Sequence, residues 1–152
     1  MDDFQLPSPG EVFWFKDPTV AAGKHDRHPH LAVCLARSGA EVICVTISSN
    51  LYNLSNLNEN TDYEILDEDA HPLISVRCAA SCRDAKSIPV ALLERMFRIK
   101  KSKGYLIQKG ERIPTTTFES IVQKLLNSDE VKRTIKTEIR RGLSDISKAL
   151  GR

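Results

Sequence analysis

Hydrophobic residues follow two regimes along the chain. Up to about residue 88 they come in short apolar or β-branched runs separated by polar turns: Glu11–Phe15, Leu31–Leu35, Glu41–Ile47, Tyr63–Leu66, Leu73–Cys78 and Arg83–Ile88. Runs of this length, punctuated by Gly, Pro, Asn and Asp, read as strands. Gly39 within Arg37–Ala40 supplies the positive φ of a tight turn, so the second and third strands should form an antiparallel hairpin. No long helical pattern interrupts this half, which favours a small curled antiparallel sheet or barrel over a parallel α/β sheet. Ser48–Asn60 reads as a loop with one helical turn.

After residue 88 the period changes. Pro89 opens a helix over 89–99 with Val90, Leu93, Met96 and Phe97 on one face. Around Lys109-Gly110 a late hairpin is expected from Tyr105–Ile107 and Arg112-Ile113. Thr116 and Glu119 have capping-box spacing ahead of Phe118, Ile121, Val122 and Leu125. A last helix carries Asp129 and Glu130 in its first turn. Its apolar stripe runs through Val131, Ile135, Ile139, Leu143, Ile146 and Leu150. The expected architecture is mainly β with C-terminal helices: a barrel domain over 1–114 and a basic helical extension over 115–152. The stripe must pack within the fold or on another chain.

Composition fits a globular protein, with 41% hydrophobic residues, and charge adds an asymmetry. Residues 1–85 hold 6 Lys plus Arg against 13 Asp plus Glu, a net of −7; residues 86–152 hold 16 against 7, a net of +9, and together they give the chain's +2. A basic half suits phosphate or an acidic protein partner, or is simply a solvated helical surface. No apolar run approaches the roughly 20 residues of a membrane helix. The start, Met1–Phe4, has no signal-peptide character, so a cytoplasmic protein with reduced thiols is expected. The glycines are scattered singly, which argues against a nucleotide-binding loop.

The four cysteines read as small buried residues. A Ser38-Gly39 turn would pair Cys34 with Ile43; a loop one residue longer would set Cys34 opposite Cys44. His25, Asp26, His28 and His30 cluster in one polar loop, at spacings that match no familiar zinc site, so no metal or cofactor is expected. The same loop, with Arg27, offers a cation and a general acid or base to a phosphodiester.

Pro9-Gly-Glu-Val-Phe-Trp-Phe15, then Asp17-Pro18-Thr19, then a polar loop closing on Arg27-His-Pro29 before an apolar strand, resembles the start of the MazF/PemK family of toxin endoribonucleases. The match covers about the first 50 residues, and Leu73-Ile-Ser-Val-Arg-Cys78 is similar to a later family strand. The resemblance implies an SH3-like antiparallel barrel, commonly a homodimer, that cleaves single-stranded RNA without a metal and is held by an acidic antitoxin. It implies a catalytic Arg before the loop proline and a hydroxyl after the third strand. Ser48 matches the hydroxyl, whereas His28 occupies the Arg position with Arg27 one residue earlier. Either His28 does acid–base work beside Arg27, or the loop has slipped by one, or activity is lost. Lys24, His30, Ser49 and Arg77 are the expected RNA contacts. The alternative is a catalytically silent barrel that binds nucleic acid or a protein through its basic helical half.

Overall fold

The computed structural model describes residues 4–16, 30–52, 54–99 and 106–149. Six strands form one antiparallel sheet: β1 (Glu11–Phe15), β2 (His30–Ser38), β3 (Glu41–Ser48), β4 (Tyr63–Leu66), β5 (Cys78–Pro89) and β6 (Leu106–Arg112), in the order β4-β5-β3-β2-β1-β6. Three helices complete a mixed β and α fold: α1 (Val90–Ile99), α2 (Thr115–Leu126) and α3 (Arg133–Ala149).

Both faces of the sheet are covered, which explains why its central strands read as continuous apolar runs rather than alternating ones. On one face Val12, Val33, Leu35, Ile43 and Val45 pack with Ile121, Val122 and Leu125 of α2 and with Val131 and Ile139 around α3. On the other, Phe13, Phe15, Ala32, Cys34, Val42 and Cys44 pack with Leu93 and Met96 of α1 and with Phe4 and Leu6. Residues after 114 therefore supply part of the sheet's larger core. The edge strand β4 is clamped by α2: Lys124 Nζ lies 2.7 Å from Glu64 Oε1 and donates to the Tyr63 carbonyl at 2.9 Å.

The β2–β3 hairpin turns at Gly39-Ala40, with Ser38 opposite Glu41 and Gly39 at φ 54°. Neither turn expected from sequence is formed. Leu35 is then an extra residue in β2, a bulge that resets the pairing so that Cys34 faces Cys44. The bulge turns Leu35 and Ala36 toward the same helix-covered core. There α3 comes so near that a Cβ on Gly142 would stand 3.2 Å from the Ala36 Cβ.

Other expectations are revised. Arg83–Ile88 is the second half of β5, whose pairing with β3 is interrupted between Ala80 and Ala85; Leu73–Arg77 is a connection leading into that strand. Lys109-Gly110 does not cap a hairpin: β6 is one strand paired to β1, irregular opposite Val12, with Gly110 at φ 70°. A bulge and a turn both use positive φ, so glycine alone could not separate them. The capping box is not made, since α2 begins at Thr115 after Pro114 with no side-chain cap. Asp129 and Glu130 precede α3, and its first turn holds no acid.

Candidate functional site

At one end of the sheet three strands bring the described candidate residues near one another. β1 ends and β2 begins side by side, with Phe15 opposite His30 and Trp14 opposite Leu31; Leu31 in turn faces Ile47 of β3. Continuing that register by one residue sets His30 beside Ser48, at the spacing of opposed strand residues, about 5 Å between Cα atoms. By strand alternation both lie on the sheet face that carries Cys34 and Cys44. The His30 ring sits 5.6 Å from that of Phe15, a buried aromatic that limits the imidazole's orientations. Ser48 is exposed, and its Oγ accepts the Asn50 N–H at 3.1 Å, so the hydroxyl proton remains available to donate.

The expected RNA contacts diverge. Ser49 lies on the opposite side from Ser48 and lines a cleft of about 250 Å³ with Trp14, Leu31 and Ile47 on one side and Ile74, Ser75 and Val76 on another. Arg77 lies outside that cleft, exposed and 3.6 Å from Asp67 in the acidic turn Asp67–Asp69. Lys24, Arg27 and His28, like His25 and Asp26, lie outside the described residues. The structure thus brings His30 and Ser48 together, while Arg77, two residues before the Ala79 that pairs with Ser48, is engaged by Asp67.

Trp14, an aromatic residue in the middle of β1, is not part of the buried core. It is half-buried and contributes to the cleft wall, consistent with an indole whose N–H needs a polar neighbour or water. The signal lay in the residue type, but the face depended on knowing what covers the sheet.

The thiols are excluded as nucleophiles. Burial pushes Cys34, Cys44 and Cys82 up to about 12 and Cys78, on the cleft wall, up to about 11. Such thiols stay protonated at neutral pH and do not attack. Among the described residues no three His, Cys, Asp or Glu side chains are grouped to hold a metal ion. No described helix is long and apolar enough to cross a membrane. Comparison with known proteins finds no family model and no curated protein that matches the chain.

Proposed function

We propose that this chain is a metal-independent endoribonuclease of the MazF/PemK kind, built on an SH3-like barrel and acting on single-stranded RNA in the cytoplasm. The observation that carries the reading is the register that sets His30 beside Ser48, where the segment holding Arg27 and His28 rejoins the sheet. Cleavage of an RNA strand needs a base for the 2′-hydroxyl, an acid for the leaving oxygen and a cation for the charge that develops on the phosphate. In this reading an imidazole, His28 or His30, takes the 2′-hydroxyl proton. The 2′-oxygen then bonds to phosphorus, the P–O5′ bond breaks, and the departing oxygen collects a proton. Arg27 supplies the fixed cation and Ser48 donates a hydrogen bond to a phosphate oxygen. A homodimer and an acidic antitoxin complete the proposal.

The test is incubation of purified protein with single-stranded RNA in EDTA. Discrete fragments ending in a 2′,3′-cyclic phosphate are expected, lost in an Arg27→Ala/His28→Ala double variant. Ser48→Ala should slow cleavage by about 10²-fold, the usual effect of removing one transition-state donor. Intact RNA, or equal cutting by wild type and double variant, ends the catalytic reading.

A further inference from the structure

α3 is amphipathic in an uneven way. Its apolar side, with Ile139 buried and Ile135 and Leu143 packed beside it, lies in the core against β2. Along one flank of that apolar side Arg133, Lys136 and Arg140 stand at steps of three and four, within about 60° of arc on the helical wheel, Arg133 and Arg140 exposed and Lys136 half-buried. Glu138, the nearest acid within the helix, lies on the other flank and binds Arg141 at 3.0 Å. Among the described residues none of Lys132, Arg133, Lys136 and Arg140 makes an ion pair, even though Asp129 and Glu130 immediately precede the helix.

Like charges at three- and four-residue spacing repel along a helix. Basic residues in its first turn also meet the positive end of the dipole. Among the described residues this row of mutually repelling cations has no ion-pair partner, and a bound polyanion would relieve the repulsion. The row rises by about 4.5 Å and then 6 Å along the axis, regular steps suited to an evenly charged backbone. Arginine at both ends favours phosphate, which its planar fork can bind through two oxygens. The cations form one row rather than two, which suits one strand more than the paired strands of a duplex. A membrane surface is a poor fit, because among the described residues the apolar side of the helix, Ile135, Ile139 and Leu143, is packed in the core.

We propose that the Arg133–Lys136–Arg140 row is a sequence-independent docking surface for the phosphodiester backbone of single-stranded nucleic acid. It stands whether or not the sheet end cleaves RNA. The experiment measures fluorescence anisotropy of a labelled 2′-O-methyl oligoribonucleotide of about 16 nucleotides, which has no free 2′-hydroxyl and is not cut. Full-length wild type should bind with a steep salt dependence. The Arg133→Gln/Lys136→Gln/Arg140→Gln variant should bind at least about tenfold more weakly and flatten the log–log salt slope by about 2, as expected for three lost phosphate contacts on a single strand. An Arg83→Gln/Lys86→Gln/Arg95→Gln variant, equal in net charge but altered elsewhere, should bind nearly as wild type. Unchanged thermal melting verifies that the surface changes leave the fold intact, and Arg140→Gln alone should give a partial loss. Equal losses in the two triple variants, no loss in the α3 variant, or equally tight binding to a duplex or to phosphatidylserine vesicles would each overturn the proposal.

Discussion

At the scale of single residues, the most informative side chain is one the sequence presents as part of a turn. His71 is 2% exposed; its Nδ1 accepts the Leu73 N–H at 3.0 Å, which leaves the proton on Nε2 to donate to the Glu111 carbonyl at 2.7 Å. The imidazole thus ties the connection after β4 to the end of β6. His71→Ala would leave two backbone groups unpaired and a small cavity, and should lower stability by about 2–4 kcal/mol. A lower urea midpoint with an unchanged slope checks this. His71-Pro72 was legible as a turn because proline marks one locally. Its burial was not, because the partner is a backbone carbonyl forty residues away, and no local pattern encodes that. The candidate site was legible to the same extent. Ser48 could be named through the family resemblance and His30 as an imidazole of the polar loop, but their adjacency depended on a bulge-shifted register.

At the scale of elements, the β2 bulge and the α3 approach act together. Because Leu35 is extra, Ala36 turns into the helix-covered core, and the missing side chain at Gly142 lets α3 lie close against it. Gly142→Ala should be nearly neutral, since about 1 kcal/mol of helix propensity offsets a contact that must yield a few tenths of an ångström. Gly142→Val, whose branched methyls cannot be accommodated by so small a shift, should lose about 2 kcal/mol or more by overpacking. Thermal unfolding of the pair separates the two effects; a Val variant as stable as the Ala variant would show that α3 does not press on β2. The strands at 11–15, 41–48 and 63–66 and the helix at 90–99 were readable from their apolar patterns. The hairpin expected around Gly110 was not realised, because pairing was decided by β1, nearly a hundred residues upstream.

At the scale of the whole molecule, the thiols in both cores link stability to alkaline pH. Each folded-state value lies above the 9.0 of an unperturbed thiol, so the unfolded chain ionises first as pH rises. Their contribution is fully present below about pH 9 and is lost progressively as pH climbs through 11 to 12, at about 1 kcal/mol per thiol per unit. Urea midpoints at pH 8 and pH 10.5 should therefore differ markedly in wild type and less in Cys34→Ala; equal shifts would show that Cys34 is not part of the effect. The pairing of β1 with both β2 and β6 has a consequence for synthesis. During synthesis β1 cannot complete its hydrogen bonding until residue 112 has followed it, and the core over Val33 and Val45 stays open until Ile139 arrives. Such long-range closure slows folding and leaves apolar strands unshielded meanwhile. The larger core therefore closes only once residue 139 has been made, and strands made about a hundred residues earlier wait for it with their apolar sides uncovered.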